Sequence, residues 1–280
     1  MKKLFMTMIS VLACGAAFAL PVGNPSDASL LCDGVIWEGH CGDPCDPCLT
    51  MCDSWSIRVG FYGDYVFNRH LEVDNDNNGQ NYDIEHTEIY TNAGLIAFNL
   101  WDRFDIFATL GASTLYIDTN ARAFLGTPGQ RFELETETDF SWSIGARATI
   151  WECGCTSFGI EGQYFYTKPD IKRITTAATY SAYVDDQFDA KYREWQIGIG
   201  VSHRINLLVP YVAVKWAGAK LDLDDAVISS PSITLWDAES KKVWGFAVGV
   251  SLVDCEKVSL TVEGRFADEK AVHVNGQIRF

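Results

Sequence analysis

The chain has 280 residues, is 48% hydrophobic and 13% aromatic, and carries a formal charge of −15 at pH 7. That charge argues against a nucleic-acid partner. After the first twenty residues no run approaches the roughly eighteen apolar residues of a membrane-spanning helix. Abundant aromatics without long apolar runs point instead to strands whose apolar and polar residues alternate.

Residues 1–19 read as a secretory signal: Lys2 and Lys3 begin it, a mostly apolar stretch follows, and Ala17-Phe18-Ala19 has the form of a cleavage site. Cleavage would carry the net charge from −15 to −17 and remove one of nine cysteines, Cys14. The eight that remain are an even number in an exported, oxidising setting, which favours disulfides.

Residues 20–54 are rich in proline and cysteine and are read as a loop-like periplasmic segment. It contains Cys32 and the run HCGDPCDPCLTMC, which packs Cys41, Cys45, Cys48 and Cys52 into twelve residues. Such spacing suits a thiolate metal site, intramolecular disulfides or bridges to other molecules. Export disfavours the metal, and the two bridging readings stay open. Cys45 and Cys48 have C-x-x-C spacing, but no βαβ pattern surrounds them and Asp43 and Asp46 disfavour a reactive thiolate.

From Trp55 the pattern changes. Trp55, Ile57, Val59, Phe61, Tyr65 and Phe67 alternate with smaller or polar residues, the period of a half-buried strand. A polar stretch, 68–86, precedes two further alternating runs, 94–101 and 103–117, joined by a tight turn. A loop at 118–134 leads to strands at 140–150 and 158–166, with WECGC between them. After a loop at 168–191, strands are expected at 195–201 and 212–216. After another at 220–242, they are expected at 244–252, 258–266 and 272–280. The sum is about ten strands, with twelve to sixteen if the loops hide more.

Long and short connections alternate, apart from the short ADEK at 267–270. This is the asymmetry of an outer-membrane antiparallel β-barrel, all-β, spanning 55–280. Trp55, Phe67, Trp101, Trp142, Trp151, Trp195, Trp216 and Trp244 would form its interfacial girdles. The short turns hold Cys153, Cys155 and Cys255, so all eight mature cysteines should share the periplasmic side. Opposite the apolar rows lie Arg58, Asp64, Arg147, Glu161, Lys215, Glu263, Arg265, His273 and Arg279, expected to line the pore. Ten strands make a barrel close to the size that side chains fill.

Asp74-x-Asp76-x-Asn78-Gly79-x5-Glu85 fits a calcium-loop template, though no helices flank it and an acidic solvated loop is the favoured reading. Phe280, closing an alternating strand, resembles an outer-membrane assembly signal. The five histidines are scattered and no G-x-S-x-G occurs, so the chain is read as a non-enzyme.

Several stretches resemble the chlamydial major outer membrane protein family: LPVGNPSDASL, DGVIWEGHCGDPCDPC, RVGFYGDYVF, TDFSWSIGARATIWECGC, EGQYFYTKPDI and FADEKAVHVNGQIRF. The resemblance runs from the start of the mature chain to its end, and the long loops depart from it by being short. It implies an outer-membrane porin that passes small solutes and ions, with a homotrimer as its expected assembly. It also implies a structural envelope protein linked by disulfides to cysteine-rich envelope proteins. The alternative is a non-conducting barrel whose long acidic loops act as adhesin or surface antigen at a host surface.

Overall fold

A computed structural model describes residues 20–32, 35, 55–73, 82–120, 131–176, 180–183, 188–223 and 237–280. Ten long antiparallel strands form the wall. They are β1 (Trp55–Arg69), β4 (His86–Leu100), β5 (Phe104–Asn120), β7 (Asp139–Cys153), β8 (Thr156–Thr167), β11 (Ala190–His203), β12 (Leu208–Leu223), β14 (Trp244–Asp254), β15 (Val258–Phe266) and β16 (Glu269–Arg279). Each pairs with the next wall strand, and β16 pairs back onto β1, so the sheet closes. All ten strands expected from the alternation are present. Closure leaves no free edge in the wall, so its backbone pairs strand to strand without water, interrupted by register shifts at Val66/Asn68 and Thr149/Trp151.

Six shorter strands lie in the connections that read as loops: β2 (Leu71–Val73), β3 (Tyr82–Asp83), β6 (Arg131–Thr136), β9 (Ile171–Thr176), β10 (Tyr180–Tyr183) and β13 (Ala238–Ser240). β6 pairs with both β5 and β9, and β13 joins β12 to β2. They continue the sheet past the wall at one end. There Leu71, Ile117, Phe132, Leu134, Ile174 and Leu221 are buried together in one apolar cluster.

The opposite end is made of tight hairpins. Trp101 and Asp102, Asn206, and Cys255 and Glu256 all have positive φ between 48° and 57°, as does Gly154 at 56°. Turns of this handedness match the twist of antiparallel strands. This is the short-turn rim, the periplasmic end in barrels of this kind.

The period of two separates the faces. On β1, Trp55, Ile57, Val59 and Phe61 are exposed, whereas Ser56, Arg58, Tyr62 and Asp64 are buried. The exposed row continues around the barrel with Ile96, Leu110, Ile144, Ile197, Val212 and Val248. Aromatics bracket it. Trp55, Trp101 and Trp151 lie at the short-turn rim, and Phe67, Trp195, Trp216 and Trp244 lie at the other end, all exposed. Trp216 lies between Trp195 (centroids 5.0 Å) and Trp244 (6.3 Å), forming a continuous aromatic arc. Trp55 and Phe67 lie about 40 Å apart along an extended strand. At a tilt of about 45° this gives a band of about 28 Å, close to the apolar thickness such barrels present.

Residues 20–32 do not lie beneath the barrel as the proline-rich reading anticipated for the whole of 20–54. They run inside it. Leu20, Val22, Asn24, Ser26, Asp27, Ala28, Leu30 and Leu31 are all buried. Asn24 Nδ2 donates to Val209 O (3.2 Å) and Ser251 Oγ (2.9 Å), and Ser202 Oγ donates to Ser26 Oγ (3.0 Å). Two strand glycines make room. A Cβ on Gly159 would fall 2.0 Å from Pro25 O, and one on Gly198 would fall 2.4 Å from a Val22 methyl.

Leu110, on the exposed row and 59% accessible, gives a direct check on which face meets lipid. Leu110→Arg should destabilise the barrel by about 2–4 kcal/mol, the cost of a cation near the bilayer midplane. Equilibrium unfolding in phospholipid vesicles reads this, and an unchanged midpoint would contradict the assignment.

Candidate functional site: a filled lumen above a cysteine rim

The residues expected to line the pore all point into the barrel, and each is at most 6% exposed. They do not face an open channel. Together with the inserted segment they form two ionic clusters.

The lower cluster lies towards the short-turn rim. Arg58 donates from Nη1 to Asp105 Oδ2 (3.0 Å) and Asp27 O (2.6 Å), and from Nη2 to Ala28 O (3.0 Å). Arg147 reaches Asp105 Oδ2 (2.7 Å), Asp27 Oδ2 (2.6 Å) and Gln277 Oε1 (3.1 Å). Asn99 Nδ2 adds a bond to Ala28 O (2.9 Å), and Arg279 bonds Leu31 O and Asp102. The helical turn Asp27–Leu30 is too short to satisfy its own carbonyls, so guanidinium and amide donors of the wall serve them.

The upper cluster lies towards the far end. Glu263 receives the amides of Val22 and Gly23 on its two oxygens, both at 3.0 Å, and the Tyr211 hydroxyl at 2.7 Å. Arg265 pairs with Asp64, and its Nε lies 3.6 Å from Glu263. Arg69 reaches Asp268 (3.0 Å), Glu269 (2.5 Å) and Glu194 (3.3 Å). Lys215 pairs with Glu269, lies 3.1 Å from Asp268, and donates to Leu20 O at 3.5 Å. Asp268 and Glu269 belong to the short ADEK connection. Ala267 there has φ 97°, a strained value for a residue with a side chain, and both acids are fully buried. Asp105, Asn99, Arg69, Glu194 and Asp268 were not singled out from the sequence. Their position on the inward phase of the wall strands, or in the one short outer turn, was the available signal.

His273 is buried 4.8 Å (ring centroids) from Tyr62 and 3.9 Å from Asp64. Glu161 is buried beside the backbone of Gly23.

At the short-turn rim, Cys153, Cys155 and Cys255 sit in or beside hairpins, with Cys153 and Cys255 exposed. Cys32 lies at the lower end of the inserted segment, next to Leu31, which bonds Arg279. Neighbouring turns are tied by Arg204–Glu256 (2.7 Å) and Arg103–Glu152 (3.2 Å), which flank Cys255 and Cys153 in sequence. Thus the four described cysteines share one end. Cys41, Cys45, Cys48 and Cys52 lie outside the described residues, as do Asp74, Asp76 and Asn78 of the calcium template. Glu85 precedes β4, and its amide donates to Thr119 Oγ1 at 3.2 Å. Phe280 closes the barrel by donating its amide to Ile57 O at 2.8 Å.

On the far end, surface ion pairs decorate the connections: Lys172 with Glu135 at 3.0 Å, and Lys168 with Asp189. The Lys168 hydrogen bond holds the Asp189 carboxyl below its ordinary range.

The Chlamydia major outer membrane protein family model matches residues 1–81, 74–130, 127–186, 174–238 and 227–280. The chain is 37% identical to a major outer membrane porin of Chlamydia pneumoniae, over all of both chains. It is 36% identical to one of Chlamydia psittaci and 34% identical to the serovar E protein of Chlamydia trachomatis, again over all of both chains. Among solved structures it is similar to an outer membrane channel of Pseudomonas putida F1, with TM-score 0.41 and 9% identity over 81% of this chain and 96% of that one. The Escherichia coli outer membrane protease OmpT gives TM-score 0.40 and 10% identity over 80% and 93%. With its closed outer-membrane barrel and these relatives, the chain belongs to the Chlamydia major outer membrane protein family.

Proposed function

We propose that this chain is an outer-membrane porin that passes small solutes and ions, and that it also ties the barrel to the envelope through its cysteines. The porin reading is supported by the relatives, which bear the name major outer membrane porin over their full lengths. The anchoring reading is carried by one observation: the described cysteines gather at the short-turn rim, with Cys153 and Cys255 exposed there. Thiols at one rim can bridge outward to cysteine-rich envelope proteins without disturbing the wall. Cys153 and Cys155, two residues apart along the chain, are better placed to reach other molecules than each other.

A second reading has its own support. The interior is occupied by residues 20–31, whose backbone is bonded by the side chains that would otherwise line a channel. A barrel filled in this way suits a non-conducting surface protein acting through its outer loops.

Planar-bilayer recording separates the two. The porin reading predicts discrete openings that are brief, because residues 20–31 must leave the lumen for each. A mature barrel that is folded yet silent at every voltage favours the second reading. For the anchoring role, envelopes run on non-reducing gels should show the protein in high-molecular-weight species that collapse to monomer on reduction. Monomer in both lanes would refute intermolecular bridging.

A further inference from the structure

We propose that the free α-ammonium of Leu20, created by cleavage after Ala19, is a structural cation of the upper cluster. Processing would then complete the lumen as well as release the leader. The inference does not depend on whether the barrel conducts.

The first observation is a charge deficit. Around the upper part of the inserted segment the buried cations are Arg69, Lys215 and Arg265. The buried carboxylates are Asp64, Glu194, Glu263, Asp268 and Glu269. Five acids face three bases, and His273 lies 3.9 Å from Asp64. A closed interior tolerates such an excess only by taking up protons or another cation.

The second observation is a set of orphaned acceptors. Gln196 Oε1 and Asp268 Oδ1 are buried with no hydrogen-bond donor. Both belong to residues at the top of the segment. Gln196 Nε2 donates to Pro21 O, which fixes its carboxamide beside the Leu20–Pro21 unit. Asp268 Oδ2 shares Lys215 with Leu20 O. Pro21 has no N–H to offer. Within the Leu20–Pro21 unit the one main-chain nitrogen that can carry a proton is therefore that of Leu20.

The third is position. A residue's nitrogen lies within about 3.6 Å of its own carbonyl oxygen. Leu20 O is 3.5 Å from Lys215 Nζ, so the Leu20 nitrogen lies within about 7 Å of that ammonium and within about 10 Å of Asp268, which Lys215 contacts at 3.1 Å. As an internal amide it brings one proton and no charge. As an α-ammonium it brings three donors and a positive charge.

The test uses ligation at Cys32. A synthetic Leu20–Leu31 segment, with a free, N-methylated or N-acetylated terminus, is joined to 32–280 and the product is folded into phosphatidylcholine vesicles. Free and N-methyl forms keep the charge and should unfold at the same urea concentration. The acetyl form should lose at least tenfold in its folding equilibrium constant. In an Asp268→Asn barrel, or Glu194→Gln if that variant does not fold, the acetylation penalty should shrink to within about twofold, because the deficit has been relieved. Equal stability of free and acetyl forms would overturn the proposal. So would an acetylation penalty undiminished in both variant backgrounds, or a native N-terminus, read by mass spectrometry from outer membranes, other than Leu20.

Discussion

A charged group sealed inside a closed barrel must find a partner, and most of this structure follows from that constraint. The wall presents its apolar row to lipid and so must turn its polar row inward. Ten strands leave too little room for those side chains to be solvated by bulk water. Arg58, Arg147, Arg265 and Lys215 are instead paired with acids and with the carbonyls of residues 20–31. Removing one member of such a buried pair strands the other, at a cost of about 3–5 kcal/mol. The segment and the wall are thus interdependent. The segment has no regular structure beyond one helical turn, and it supplies the wall's cations with the Asp27 carboxylate and the carbonyls of Asp27, Ala28 and Leu31.

The wall was legible because its signal is redundant. On β1 each of Trp55, Ile57, Val59 and Phe61 independently reports the same phase, and the same holds on the other wall strands. The hairpins were legible from their length. The short outer strands were not: Phe132 and Leu134 of β6 alternate over too few residues to stand out within a polar stretch, and Ile171 and Ile174 of β9, three apart, are brought to one face by a register shift that hides the period. Their burial comes from packing against strand extensions far apart in sequence.

The inserted segment was illegible for a different reason. Pro21, Gly23 and Pro25 deny it any period, so locally it is a loop, and loops ordinarily run over surfaces. What buries it is the wall's supply of donors and acceptors, from Gln196, Glu263, Asn99 and Arg58. A trace did exist. Inward-phase charges of both signs in so narrow a barrel required partners, and Gly159 and Gly198 left gaps on the inner face. The ADEK turn was noticed as the single break in the long–short rhythm. Its inward fold, with Asp268 and Glu269 buried, gives that irregularity a role in closing the lumen.

The segment that fills the lumen leads in sequence through Cys32 to the cysteine run. The occupancy of the lumen is the central claim, and cross-linking tests it most directly. Ser202 Oγ donates to Ser26 Oγ at 3.0 Å, so the two side chains meet inside the barrel. In a Ser26→Cys/Ser202→Cys protein folded and oxidised in vesicles, peptide mapping should recover the 26–202 disulfide in most molecules. A correctly folded barrel in which these two positions never link would contradict the account.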